Sequence, residues 1–111
     1  MSRTEVELAP TFTVQPKIRE EDDGNRLLIE CELNSIPRPE VIWSKDGIKL
    51  EEDGFRVQTF VQETRPHHYL VVCEINDVNE PDSGLYRVDA HNLMGKIDSS
   101  IRMNFDCKLF K

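Results

Sequence analysis

His67 and His68 are adjacent imidazoles, and with a nearby Asp or Glu they could ligate a metal or exchange protons. They stand in a stretch read as extended, where neighbouring side chains point to opposite faces, so the two cannot chelate one ion together. A solvated pair beside Pro66 is the favoured reading. Ser83 could serve as a nucleophile, but Asp82-Ser83-Gly84 has the composition of a turn. No GxSxG, GxGxxG or phosphate-loop pattern accompanies it. Glu20-Glu21-Asp22-Asp23 offers carboxylates to calcium, yet lacks the spaced ligands of an EF-hand loop, and Glu51-Glu52-Asp53 is no different. Both read as solvated turns. The cysteines, Cys31, Cys73 and Cys107, are odd in number and widely spaced, which is not a disulfide framework. No CxxC pair exists to start a zinc site. The expectation is a chain with no catalytic residues, no cofactor, no metal and no small-molecule substrate.

Composition narrows the choice further. The chain has 111 residues, enough for one domain with a core of its own. Apolar residues make up 38% and charged residues 32%, an ordinary globular balance that argues against disorder. The net charge of −7 and the lack of any basic run disfavour nucleic acid and anionic membranes as partners. The longest apolar run, Tyr69 to Cys73, is far short of the roughly 20 residues of a membrane span. No Asn-x-Ser/Thr sequon occurs. With the cysteine count, this leans toward a reducing, intracellular compartment.

The elements that must position any site are short strands. Turn residues recur at brief intervals: Asp22-Asp23-Gly24-Asn25, Pro37-Arg38-Pro39, Asp46-Gly47, Asp53-Gly54, Pro66, Pro81-Asp82-Ser83-Gly84, and Asn92 to Gly95. Between them apolar and polar residues alternate. Leu27, Ile29, Cys31 and Leu33 share one face, with Leu28, Glu30 and Glu32 on the other. Val41 with Trp43, then Val71, Cys73 and Ile75, then Tyr86, Val88 and Ala90, then Ile97 to Phe105 repeat the pattern. Only Val78 to Ser83 suggests a helical turn, and Pro81 limits it. Such spacing predicts an all-β sandwich or barrel. Residues 1–9 read as a leader or linker, 10–105 as the domain and 106–111 as a tail.

Cys31 is followed by Pro37-x-Pro39, Trp43 and Lys45-Asp46-Gly47. Val78 and the run Asp82-Ser83-Gly84-x-Tyr86-x-Val88-x-Ala90-x-Asn92-x-x-Gly95 come later. In that order the set resembles the intermediate-set (I-set) immunoglobulin fold over residues 10–105. Ala9-Pro10-Thr11-Phe12 and Trp43-Ser44-Lys45-Asp46-Gly47 are similar to domains of the titin and twitchin family, giant intracellular muscle proteins, with an invertebrate member favoured. The resemblance implies two antiparallel sheets in Greek-key order and Trp43 packed across the core. It also implies a Tyr86 hydroxyl bonded to backbone upstream, and a Gly95 supplying positive φ to a turn. Extracellular members place a second cysteine where this chain has Val88, so the usual disulfide to Cys31 cannot form. That bond would contribute about 4 kcal/mol in a chain-entropy account, whereas a buried valine returns roughly 1.5–3 kcal/mol. Cys73 falls on a strand adjacent to that of Cys31; buried free thiols are expected, with a Cys31–Cys73 bridge left open. Cys107 is expected to be an exposed thiol without a role. The Phe60 to His68 stretch is long for its connection, and a longer hairpin is favoured over a special loop.

Function then falls to the surface. Ile42, Leu85, Arg87, Asp89 and Arg102 are placed on the outward face of three adjoining strands; Ile42, Leu85, Arg87 and Arg102 are the protein-binding candidates, set against the favoured reading that scattered apolar residues are ordinary on a surface. The outermost strands could also accept a partner strand. The resemblance implies a non-catalytic spacer and docking module in a cytoplasmic, sarcomeric filament scaffold. Its partners would be muscle filament or cytoskeletal proteins and neighbouring immunoglobulin and fibronectin modules. Its terminal strands would be hydrogen-bonded side by side to bear load. An extracellular adhesion or receptor domain is the alternative.

Overall fold

A computed structural model describes residues 6–105. Alternating side chains commit each segment to a strand with one buried face. The strands are β1 (Leu8–Glu21), β2 (Arg26–Ile36), β3 (Glu40–Lys45), β4 (Ile48–Lys49), β5 (Val57–Arg65), β6 (His68–Asn76), β7 (Gly84–Asn92) and β8 (Gly95–Met103). The only helical element among the described residues is a 3-10 turn at Glu80–Asp82, within the stretch limited by Pro81. One sheet has the order β1-β2-β6-β5 and the other β4-β3-β7-β8, all pairings antiparallel. The chain changes layer between β2 and β3, between β4 and β5, and between β6 and β7, as Greek-key connectivity requires.

The inner faces close on one core. Leu27, Ile29, Cys31 and Leu33 from β2 meet Val71, Cys73 and Ile75 from β6, with Trp43, Tyr86, Val88 and Ala90 from the facing sheet. Cys31, Cys73, Tyr86 and Val88 are all essentially sealed from solvent. Cys31 and Cys73 are free thiols. Cys31 sits opposite Val71, and Cys73 opposite Ile29, so the two face each other only diagonally across the β2–β6 ladder. Cys107 lies outside the described residues.

The Tyr86 hydroxyl donates to the Asp82 carbonyl at 2.6 Å, locking the 3-10 turn against β7. Asp82 also accepts from Arg56 Nη2 at 2.6 Å on each carboxylate oxygen and from the Asn79 N–H at 2.8 Å. Arg56 Nε donates onward to the Asn76 carbonyl. This cluster joins the segment before β5 to the turn before β7. The guanidinium beside Asp82 is held in its protonated form more firmly than a free arginine. At the other pole Asn92 Nδ2 donates to the Leu8 carbonyl at 2.8 Å, Ser35 Oγ at 2.9 Å and the Pro37 carbonyl at 3.2 Å. Its Oδ1 accepts from the Met94 N–H.

Three expectations need correction or refinement. First, the terminal strands share no ladder among the described residues: β1 pairs with β2 along its length and β8 with β7. The β1 register shifts three times, between Leu8 and Thr11, between Phe12 and Val14 and between Val14 and Lys17; the first and last bracket Pro10 and Pro16, which lack an N–H for a regular ladder. Ser99 Oγ bonded to Gln15 Oε1 at 2.8 Å is a side-chain tie between the end strands. Second, Gly95 has the expected positive φ, 159, but holds it as the first residue of β8, just past the turn. A Cβ there would come 3.2 Å from Ala9 Cβ, a tight contact that would press on the start of β1. Third, Leu28 and Val72 are buried although they point outward. The Phe60 to His68 stretch is a longer hairpin, with Val61 opposite Val71, Arg65 opposite His68 and the turn at 66–67.

Candidate interaction surface

The residues with chemical potential are occupied by folding. Asp22 and Asp23 take left-handed φ values of 58 and 56 in the β1–β2 turn, as short polar side chains tolerate. Glu21 accepts from Arg19 and Arg26. Asp53 Oδ1 accepts the N–H groups of Phe55, Arg56 and Val57 at 3.1, 2.7 and 2.9 Å, and those bonds hold its carboxyl below the usual range. Glu52 accepts from the Thr59 N–H and hydroxyl. His67 forms the β5–β6 turn with φ 69; its carbonyl accepts from the Ser35 N–H and its own N–H donates to Glu63. Ser83 Oγ accepts the Phe105 N–H at 2.9 Å, tying down the chain after β8. Each of these groups closes a turn or a strand end.

Burial pushes the thiols of Cys31 and Cys73 up to about 12. At neutral pH both stay protonated and poorly nucleophilic. An alkylating reagent is therefore expected to spare Cys31 and Cys73 in the folded protein and to modify both in urea, read by peptide mass mapping. Native-state labelling at the urea rate would contradict the packing. The folded thiols are harder to ionise than unfolded ones. Stability is thus fully present below the ordinary thiol value and declines as pH rises from about 9 toward 12.

The outward face of β3, β7 and β8 does carry Ile42, Leu85, Arg87, Asp89 and Arg102, with Ile42 43% and Leu85 38% exposed. Register decides what they form. Ile42 is opposite Asp89, and Leu85 is opposite Arg102. From Leu85 to Asp89 the strand rises about 13 Å. Arg87 lies between, its Nη2 2.9 Å from Asp89 Oδ1 and 3.3 Å from Asp98 Oδ2. The face brings Leu85 beside Arg102 and Ile42 beside Asp89, but not the two apolar residues together. Their separation leaves two small apolar spots around a self-paired ion cluster.

Sequence reasoning passed over the outward face of the other sheet. There Phe60, 44% exposed, stands opposite Val72, and Leu28 is opposite Glu74. Arg19 bridges Glu21 and Glu30, while Arg26 bridges Glu21 and Glu74. The stems of such long side chains cover apolar neighbours while their charges stay wet, consistent with the burial of Leu28 and Val72. The unbroken apolar run from Tyr69 to Cys73 was the available signal, because a strand that is apolar on both faces has something on both to cover.

The profile of the Immunoglobulin I-set domain family matches residues 10–105. Among curated proteins, Drosophila melanogaster titin is 30% identical over 80% of this chain, which covers 0% of titin's own length to the nearest per cent. The Caenorhabditis elegans muscle M-line assembly protein unc-89 is 32% identical over 88% of the chain, and 1% of that protein is covered. Human contactin-1 is 30% identical over 84% of the chain and 8% of its own length. The chain thus spans a small fraction of these relatives. Of solved structures, titin M4 superposes with a TM-score of 0.79 at 22% identity, over 92% of this chain and 100% of that one. The titin domains z1z2 in complex with telethonin give 0.78 at 24% identity, over 92% of this chain and 50% of that one.

Proposed function

The chain belongs to the immunoglobulin I-set domain family, and from that membership we propose that it is a non-catalytic structural and protein-interaction module of a sarcomeric filament scaffold. One observation carries this reading: the sandwich closes on Val88 and on two free, sealed thiols, so it needs no covalent bond between its sheets. A fold of that kind suits a compartment where thiols stay reduced. Its similarity to titin and to a muscle M-line assembly protein supports the muscle assignment. The z1z2 domains, which share the fold, are held in a complex with telethonin, which supports docking of another protein onto such sandwiches. Neighbouring immunoglobulin or fibronectin modules and filament proteins are the partners this reading implies.

Load follows the topology. Leu8 lies beside Asn92 at one pole, and Met103 lies opposite Gly84 at the other. Tension on the ends shears β1 along β2 and β8 along β7, stressing many bonds at once.

The docking face proposed is that of Leu85, Arg87, Arg102 and Ile42. A fluorescent fusion expressed in muscle cells is expected to decorate a periodic sarcomeric band. Leu85→Glu, which alters an outward side chain and leaves the core intact, is expected to weaken that decoration at least tenfold. A diffuse wild type overturns the sarcomeric assignment, and undiminished decoration by Leu85→Glu overturns the face. The contactin-1 similarity favours a second reading, an extracellular adhesion domain. An intact mass two hydrogens short without reductant would select it.

A further inference from the structure

An aspartate followed by glycine can rearrange its own backbone, because glycine has no side chain to shield its nitrogen from the neighbouring carboxyl. This chain holds three such pairs: Asp23-Gly24, Asp46-Gly47 and Asp53-Gly54. The chemistry needs no co-reactant but water. The glycine nitrogen attacks Cγ of the uncharged acid, and a five-membered succinimide closes as the N–Cγ bond forms. The nitrogen's proton and the carboxyl's hydroxyl leave as one water. A second water then reopens the ring. When it adds at the carbonyl next to Cα, the original peptide C–N bond breaks and the chain runs on through Cβ. The product, isoaspartate, keeps the mass and charge, adds one carbon to the backbone and bears a free α-carboxylate.

Ring closure asks for two freedoms. The carboxyl must swing to the glycine nitrogen, and the Cα–C bond of the aspartate must rotate. Solvent reaches all three aspartates, so exposure does not separate them. Hydrogen bonds do. Asp53 Oδ1 holds three N–H groups, at 3.1, 2.7 and 2.9 Å, and its own N–H donates to the Val57 carbonyl at 3.2 Å. Those bonds also favour the charged carboxylate, the unreactive form. Asp46 is tied twice to β7: Oδ1 accepts the Leu85 N–H at 2.9 Å, and its N–H donates to the Leu85 carbonyl at 2.8 Å. Its carboxylate lies so near Gly84 that a Cβ there would fall 2.6 Å from Oδ2. Lys45 pairs with Ile48 directly across this tight turn.

Asp23 differs. Neither its carboxylate nor its N–H has a partner among the described residues. Two bonds span its peptide to Gly24: the Gly24 N–H to the Glu21 carbonyl at 3.1 Å and the Asn25 N–H to the Asp22 carbonyl at 3.0 Å. Both belong to a turn outside the ladder that ends at Glu21 opposite Arg26, and such bonds open first. We propose that Asp23-Gly24 is a site of spontaneous conversion to isoaspartate, and that the fold shields Asp46 and Asp53 from the same reaction. The new α-carboxylate is the group that an isoaspartate-specific carboxyl methyltransferase esterifies, so that class of enzyme is the one this site would take. The added carbon lengthens the turn whose Asn25 carbonyl accepts the Val78 N–H at 3.2 Å.

The test is to hold the folded protein for weeks at neutral pH and physiological temperature, beside a sample unfolded in urea. Trypsin places the three pairs on separate peptides, residues 20–26, 46–49 and 50–56. Isoaspartate is read as a peptide of unchanged mass and shifted retention that gains a methyl group from S-adenosylmethionine and the methyltransferase. Fragmentation distinguishes Asp23 from Asp22. In the folded protein the 20–26 peptide is expected to convert at least about fivefold faster than either of the others. In urea the three rates should draw together. Faster conversion at Asp46 or Asp53 in the folded protein overturns the proposal. So does conversion at Asp22 instead of Asp23, a folded 20–26 peptide that stays unchanged while the urea sample converts, or a ranking that urea leaves as it was.

Discussion

Replacing Asp82 with alanine is expected to remove about 2–4 kcal/mol of folding stability. The carboxylate accepts from Arg56 through both oxygens at 2.6 Å and caps the Asn79 N–H. Its loss leaves a guanidinium, about two-thirds covered, without its counter-charge. The penalty for a fully buried orphan would be larger, and solvent around Arg56 reduces it. Urea unfolding measures the change. The discriminating construction is the double variant with Arg56→Met: removing both charges should recover part of the loss, giving a coupling of about 1–3 kcal/mol. Strict additivity of the two single variants would show that the ion pair holds nothing together. The Tyr86 hydroxyl bonds the backbone carbonyl of the same residue, so Asp82→Ala should also speed amide exchange through the turn before β7.

Asn92→Leu is the second large effect. It keeps the side-chain volume and removes every hydrogen bond. Ser35 Oγ, fully buried, would lose a donor and the Leu8 carbonyl would lose its own, while the Pro37 carbonyl keeps the Ser35 hydroxyl at 2.6 Å. The expected cost is about 2–3 kcal/mol, because each buried group left unmatched forfeits its desolvation. In a domain of this size that lowers the melting temperature by roughly 10–20 °C. Hydrogen exchange should locate the damage, with amides near Leu8 in β1 exchanging faster than those of β6. A melting temperature within a few degrees of wild type would mean that Asn92 is not the fastener at this pole.

These two clusters mark the boundary of what the sequence discloses. Alternation of apolar residues announced β2, β3, β6, β7 and β8, and the order of Cys31, Trp43, Tyr86 and Val88 announced how the layers face. The Tyr86 hydroxyl fell where the resemblance put it. Asp82 and Arg56 are 26 positions apart, and Asn92 and Leu8 are 84 apart, and no local pattern marks such partners. Register is hidden for a related reason. Period-two alternation says which face a residue occupies, not which row across the sheet it joins. Ile42 and Leu85 were therefore assigned to the correct face but to one patch, and the β3–β7 register puts them in different rows. The prolines of β1 were visible, but their effect on its ladder depended on where β2 lay.

The exits of the chain at opposite poles have a mechanical corollary. Folded, a sandwich built on nine-residue strands is about 30 Å tall. Drawn straight, residues 10–105 reach about 330 Å. Unfolding under tension would therefore lengthen the chain by about 300 Å. Because position 88 is valine, that contour length is surrendered whole. A sulfur bridge to Cys31 would have kept more than half of it locked, turning an extensible link into a short, stiff one.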